Sequence, residues 1–148
     1  MIRLTENLLI GDSADESHAI LSGKDAILNV AQDLQCTRGW TDGIEYMQVG
    51  LIDGPGNPMS AYYSAVFALH TLLSRARGSV LVCCHTGGRA MAVIMMYLQS
   101  TAKRSWDDWL NLLHERVEWE LPTPHNAHKE AFDKMDLNSL LHPGSILY

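Results

Sequence analysis

Two adjacent cysteines and an arginine bound a short loop that contains two glycines. The loop consists of Cys83, Cys84, His85, Thr86, Gly87, Gly88 and Arg89. Glycines let a backbone curl without a Cβ clash, and consecutive N–H groups in such a curl form an anion nest. An arginine adds a planar fork for two oxygens of an oxyanion, and the same positive field favours a thiolate. This pattern predicts a thiolate that attacks phosphorus while the loop holds the phosphate oxygens.

Apolar runs on both sides of the loop predict a buried strand over 80–82 and a helix over 89–100. The helix directs its positive N-terminal end at the loop. Further strands are predicted over 7–12, 25–30 and 44–52, and further helices over 14–22, 60–75, 105–116 and 124–136. This alternation predicts an α/β fold with a mostly parallel central sheet of about four to five strands flanked by helices. The thiols, Arg89 and a loop at Asp53 then lie at the carboxyl ends of strands, where such sheets bind ligands.

Length and composition narrow the possible partners. The 148 residues predict a single domain over 1–148, and the formal net charge is −6. Without a Lys/Arg cluster we expect neither a nucleic acid nor a membrane as partner, and the longest apolar run, 90–98, is too short to span a bilayer. Three cysteines, two of them adjacent, and no N-terminal signal-peptide pattern favour the cytoplasm.

The histidines do not predict a metal site. His125 and His128 are three residues apart in a predicted helix, but no cysteine or carboxylate completes a convincing ligand set with them. His85 is different because it lies inside the loop, where it could donate to a substrate or only cap the turn. We therefore expect no metal and no cofactor.

Taken in chain order, the predicted elements resemble the dual-specificity branch of the protein tyrosine phosphatase superfamily. The resemblance covers about residues 5–136 and is carried by 7–11, 26–30, 46–53, 78–89, 97–98 and 124–132. It implies a cysteine-phosphatase-like fold and hydrolysis of a phosphomonoester through a phosphocysteine intermediate. The substrate would be a phosphorylated protein or a small phosphomonoester.

The resemblance also implies a role for each candidate residue. The signature cysteine attacks phosphorus, and residues 84–88 bind the phosphate through the loop. Arg89 binds the phosphoryl oxygens in the ground state and the transition state. Asp53, which is the sole carboxylate between Tyr46 and the loop, would protonate the leaving oxygen and then activate water.

The choice between the two cysteines depends on loop length. The family pattern is His-Cys-x-x-Gly-x-x-Arg, followed by Ser or Thr. Cys83 keeps five residues before Arg89 but places Thr86 where the family has glycine. Cys84 places Gly87 where the family has glycine but leaves four residues before Arg89, so the loop has one backbone N–H fewer than the family pattern. Because losing a residue redirects every N–H in the cup, we favour Cys83 as nucleophile and keep Cys84 as the alternative.

Two other functions remain open. The spacing Cys84-x4-Arg89 also resembles the active loop of rhodanese-type sulfurtransferases, in which a shorter cup holds a persulfide sulfur. Ala90 occupies the position of the family's hydroxyl residue, so breakdown of a phosphoenzyme would be slow. The second alternative is therefore a catalytically weak pseudophosphatase that binds phosphorylated ligands through Arg89.

Overall fold

The structure is a computed structural model that describes residues 1–15, 26–35, 44–76, 78–117 and 120–136. Within these ranges a five-stranded sheet packs against four helices. The strands are β1 (Ile2–Arg3), β2 (Leu8–Gly11), β3 (Ala26–Ala31), β4 (Glu45–Leu51) and β5 (Val80–Cys83). The helices are α1 (Met59–Arg75), α2 (Gly88–Gln99), α3 (Trp106–Arg116) and α4 (Asn126–Lys134).

The sheet has the strand order β1-β2-β5-β3-β4, and every pair except β1 with β2 is parallel. The predicted α/β class and mostly parallel sheet are therefore confirmed. Strand β1 was not predicted because two residues are too few to show an alternating pattern. The parallel register pairs Cys83 with Gly11 on one side and with Asn29 on the other, so these strands end at one edge.

Strand β3 is interior and all six of its residues are buried, as its continuous apolar run predicts. Alternate residues of β2, β3 and β5 contribute to two different clusters. The larger cluster contains Val80, Val82 and the buried hydrophobic residues of the four described helices. In the described part of the chain, the smaller cluster on the opposite face has the buried residues Leu9, Ile27, Leu81 and Cys83, none of them from a helix. Neighbouring residues of β5 therefore face opposite sides of the sheet.

Local sequence sets where the helices begin. Helix α3 begins after Ser105, whose hydroxyl oxygen accepts a hydrogen bond from the Asp108 N–H. Helix α4 begins after His125, whose Nδ1 accepts from the Ala127 N–H, and Trp106 packs edge-on against Phe132 between the two helices. The helix predicted over 14–22 is seen only in its first residues, 13–15, since the rest lies outside the described ranges.

Among the described residues, none of the helices is long and apolar enough to cross a bilayer. The single domain over 1–148 stays a prediction.

Candidate active site

The two adjacent cysteines are placed on opposite faces of the sheet. Cys83 is the last residue of β5, and its side chain packs beside Leu9 and Leu81, on the face opposite the four described helices. Cys84 packs on the helix side, where its Sγ accepts a hydrogen bond from the Gly87 N–H at 3.0 Å. The preference for Cys83 came from loop length, whereas this placement favours Cys84. The identity of the nucleophile stays a prediction, with Cys84 now the better candidate.

The loop after Cys84 requires glycine at its tightest point. Gly87 has a φ of 94°, and a Cβ on it would lie 2.6 Å from Cγ of Pro122. Gly87 is also the N-cap of α2, and its carbonyl oxygen accepts the Met91 N–H. On the other side of the loop, the Ser13 N–H donates to the His85 carbonyl oxygen at 3.3 Å. Backbone contacts therefore hold the loop from both directions.

Arg89 lies in the first turn of α2 with only 4% of its surface exposed. Its Nη1 donates to Oδ1 of Asp33 and to the carbonyl oxygen of Leu51, each at 2.8 Å. Its buried Nε has no acceptor within the described part of the chain. Since buried N–H donors are almost always paired, this one is available to an oxyanion bound in the loop.

Asp33 was not recognised as a site residue from the sequence. Its side chain is about two-thirds exposed, and the hydrogen bond from Arg89 lowers the pKa of its carboxyl group. The Nε2 of His85 lies 3.4 Å from the other carboxylate oxygen. The position of Asp33 just after β3 was the available signal, because that strand ends at the edge that holds the loop.

The side-chain amides of buried Asn29 and exposed Gln48 shape the turn that carries Asp33. The Asn29 side chain accepts the Ala31 N–H at 2.9 Å and donates to the Leu34 carbonyl oxygen at 2.7 Å. The Gln48 side chain on β4 donates to the same Leu34 oxygen at 2.8 Å. Hydrogen bonds from side chains of β3 and β4 therefore fix the turn after β3.

Asp53 lies in the loop after β4 and is half exposed. Its Oδ1 is 3.5 Å from Nε2 of His128, a fully buried side chain of α4. Burial lowers the pKa of His128, and its Nδ1 lies 2.7 Å from the Tyr62 hydroxyl. Arg89 binds the Leu51 carbonyl oxygen just before this loop, so Asp53 and Arg89 share one edge of the sheet.

The predicted site residues thus fall into two groups. His85, Gly87 and Gly88 line the same loop as Cys84 and Arg89, and Thr86 is exposed at its outer side. A cavity of about 420 Å³ touches this outer side, between β2 and residues 120–123. Cys83 is the one loop candidate whose side chain lies on the opposite face of the sheet from Cys84.

Within the described ranges, no three His, Cys, Asp or Glu side chains are placed to share a metal ion.

The sequence matches no protein-family profile and no curated protein. Solved structures do match it. A mouse putative dual specificity phosphatase complexed with zinc tungstate is 20% identical, with a TM-score of 0.71 over 97% of this chain and 89% of that chain. Human DUSP28 is 18% identical, with a TM-score of 0.72 over 97% of this chain and 99% of that chain.

The core catalytic domain of the PP-IP phosphatase SIW14 from S. cerevisiae, in complex with citrate, is 15% identical, with a TM-score of 0.71 over 99% of this chain and 91% of that chain. Identities this low establish a shared fold and not a shared activity. The match covers nearly the full length of each protein. The chain therefore has the fold of the dual-specificity phosphatases, as its sequence resemblance predicts.

Proposed function

We propose that this protein is a cysteine-dependent phosphomonoester hydrolase in which Cys84 is the nucleophile and Arg89 binds the phosphoryl group. One observation carries the proposal. One loop carries both groups. At its start the Cys84 sulfur accepts the Gly87 N–H, and at its end lies the buried Arg89 guanidinium, whose Nε lacks an acceptor in the described residues. The N-terminus of α2 adds its positive end to the same loop. Such donors suit a tetrahedral oxyanion next to a nucleophilic sulfur.

The reaction has two steps. In the first, the Cys84 sulfur attacks phosphorus, the S–P bond forms, and the bond from phosphorus to the leaving oxygen breaks. Protonated Asp53 gives its proton to that oxygen. In the second, water attacks phosphorus and gives a proton to the Asp53 carboxylate. The S–P bond then breaks, releasing inorganic phosphate and restoring the Cys84 thiolate.

The structural relatives support a phosphate-directed chemistry without assigning a substrate. All three are described as phosphatases, and the anion in the mouse structure, tungstate, is a tetrahedral oxyanion like phosphate. For this chain we propose a phosphorylated protein or a small phosphomonoester as substrate. Tungstate is a suitable probe of the loop because its binding does not require turnover.

Matched alanine variants of the two cysteines test the proposal. Cys84→Ala should reduce hydrolysis of p-nitrophenyl phosphate below ~0.1% of wild type and abolish trapping of a phosphoenzyme, because loss of a nucleophile removes the covalent route. Cys83→Ala should stay within ~3-fold of wild type, since its side chain faces the other side of the sheet. The opposite pattern would return the nucleophile to Cys83, and an inactive wild type would remove the phosphatase proposal.

A sulfurtransferase is the second candidate, favoured by the four residues between Cys84 and Arg89. In that reaction the outer sulfur of thiosulfate moves to the Cys84 sulfur with release of sulfite, and cyanide then takes it as thiocyanate. Thiocyanate formation without phosphatase activity would select this reaction. Tungstate binding with neither activity would select a non-catalytic phosphate-binding module, the role that the alanine at position 90 also suits.

A further inference from the structure

A chain of polar side chains connects the core of the protein to Asp53. The Asn57 Nδ2 lies 3.3 Å from the Tyr62 hydroxyl, which lies 2.7 Å from Nδ1 of His128. The Nε2 of His128 lies 3.5 Å from Oδ1 of Asp53. The loop after β4, helix α1 and helix α4 each contribute to this chain. The two contacts of His128 join parts of the chain that are 66 and 75 residues apart.

The direction of the hydrogen bonds in this chain can be assigned from one backbone amide. The Ile52 N–H donates to the Asn57 side chain at 2.8 Å, which identifies the accepting atom as Oδ1. The other end of the amide is then Nδ2, a donor, so the Tyr62 oxygen accepts from it. The Tyr62 hydrogen is left to point at Nδ1 of His128, since no other acceptor for it lies among the described residues.

This direction fixes the tautomer of His128. A ring nitrogen that accepts from Tyr62 carries no proton, so a neutral imidazole carries its proton on Nε2. Burial keeps the ring neutral by lowering the pKa of His128. Nε2 is the atom nearest to Asp53, which places an N–H donor opposite the carboxylate oxygen Oδ1.

The surroundings of His128 are nearly closed to solvent. Its side chain is fully buried, and its ring meets Tyr62 edge-on. The charged or titratable groups that face it are Asp53 from the loop after β4, Tyr62 from α1, Arg89 from α2 and His125 just before α4. Because water does not compete for Nε2, its donor is directed at Asp53.

We propose that His128 is a positioning residue for Asp53, holding its carboxyl group through Oδ1 so that Oδ2 carries the catalytic proton. This proposal rests on the proposed function. A neutral Nε2–H donor can hold Oδ1 both when Asp53 is protonated and when it is a carboxylate, so one contact serves both steps. The 3.5 Å separation is longer than a strong hydrogen bond, and catalytic contacts of this kind tighten when substrate is bound.

Leaving-group dependence tests the proposal with His128→Phe, which keeps an aromatic ring but removes both ring nitrogens. A good leaving group, dinitrophenolate, needs no proton, whereas the phenolate of phenyl phosphate does. We expect kcat/KM for phenyl phosphate to fall by ~10- to 100-fold and that for dinitrophenyl phosphate to stay within ~3-fold. In an Asp53→Asn background, His128→Phe should cause no further loss. Equal losses for both substrates, or additive losses in the double variant, would show a merely structural role.

A tyrosine pair on α1 gives a matched control. Tyr62→Phe removes the hydroxyl that fixes the tautomer, while Tyr63→Phe removes a neighbouring hydroxyl that accepts the Asp136 N–H instead. Only Tyr62→Phe should reproduce the leaving-group dependence. Nitrogen-15 NMR of the imidazole should show the Nε2–H tautomer in wild type and in Tyr63→Phe, and a mixture in Tyr62→Phe.

Failure of the positioning role can be distinguished from failure of the proposed function. An Nδ1–H tautomer in wild type, or an active enzyme whose leaving-group dependence is insensitive to His128, overturns the positioning role alone. A wild type that hydrolyses no aryl phosphate overturns the proposed function, and with it the catalytic meaning of the contact, even where the Nε2–H tautomer is observed.

Discussion

The buried guanidinium of Arg89 donates from Nη1 to the exposed carboxylate of Asp33 across 2.8 Å. The same Nη1 donates to the Leu51 carbonyl oxygen at 2.8 Å. One arginine nitrogen thus connects the turn after β3, the end of β4 and the first turn of α2. Because both contacts use Nη1, the Nε edge of the guanidinium is not consumed by them. Asp33 therefore orients Arg89 and leaves a face for an oxyanion.

Asp33→Asn should weaken this orientation while keeping the shape of the side chain. The amide keeps a hydrogen bond from the charged Arg89 and loses only the ion-pair charge. At a largely exposed carboxylate that charge is worth about 1 kcal/mol, so kcat/KM should fall about fivefold. The fall should be equal for good and poor leaving groups, because Arg89 acts on the phosphoryl group and not on the proton. Steady-state kinetics with a good and a poor leaving group measure the fall in kcat/KM, and tungstate titration measures the weaker anion binding.

Asp107→Asn is the charge-matched control, since it removes one carboxylate from the exposed first turn of α3. It should leave kcat/KM and tungstate affinity unchanged. Tighter tungstate binding in Asp33→Asn would contradict the orienting role and would mean that the Asp33 carboxylate competes with the anion for Arg89.

Adjacent glycines in the loop should respond differently to alanine. Gly87→Ala forces a side chain into a left-handed conformation and places a Cβ 2.6 Å from Pro122 Cγ. We expect it to lower the free energy of unfolding by at least ~1–2 kcal/mol and to abolish tungstate binding. Gly88→Ala should retain stability, because its Cβ would meet an atom of Thr123 at 3.4 Å and the position is helical. Denaturant unfolding and tungstate titration measure both variants. Wild-type stability and tungstate affinity in Gly87→Ala as well as Gly88→Ala would show that the loop tolerates side chains at both positions.

The stability of the protein should depend on pH through His128. Burial lowers the pKa of His128 below its ordinary value of 6.5, so the unfolded chain takes up a proton where the folded chain does not. The free energy of unfolding should therefore decrease as pH falls below 6.5, until the folded pKa is reached. Above 6.5 this contribution is constant because both states are neutral.

His128→Gln removes that titration. Between about pH 7.5 and about pH 5.5 the Tm of wild type should drop more than that of the variant, measured by differential scanning calorimetry. The facing groups Asp53, Tyr62, His125 and Arg89 remain in both proteins. Identical pH slopes would show that His128 takes up its proton equally well in the folded state.

Adjacent cysteines show what the sequence could and could not provide. The strand and the helix around the loop were predictable because each is a continuous apolar run. The alternation along β5 was also present in the sequence, since Val82 and Cys84 pack on the helix side while Leu81 and Cys83 pack on the other. That alternation allows only one of two adjacent cysteines to face the helix that carries Arg89. The preference for Cys83 rested on loop length and did not use this alternation.

The contacts of Asp33 and His128 could not be predicted from the sequence. Asp33 follows a predicted strand, but its pairing with Arg89 depends on the neighbouring amides that shape its turn. His128 was considered only as half of a metal pair with His125. Its actual partners, Asp53 and Tyr62, lie more than sixty residues away in the chain, and their contacts arise from the packing of α4.

Restoring a hydroxyl beside Arg89 should speed the second chemical step. Ala90 is fully buried in the first turn of α2, next to the loop that contacts the Cys84 sulfur. The phosphatases that this sequence resembles carry Ser or Thr there, and a hydroxyl donor stabilises the thiolate that departs when the phosphoenzyme breaks down. A hydrogen bond to a charged group is worth about 1.5–3 kcal/mol, so Ala90→Ser should accelerate breakdown by roughly tenfold or more.

Rapid-quench kinetics with p-nitrophenyl phosphate separate the two steps. In Ala90→Ser the burst of p-nitrophenol should shrink and the steady-state level of phosphoenzyme should fall, because the second step no longer limits turnover. Ala92→Ser, the same change at another fully buried position of α2, should alter neither quantity. An unchanged burst in Ala90→Ser would mean that departure of the Cys84 thiolate does not limit the reaction. The alanine at position 90 would then not slow breakdown of the phosphoenzyme.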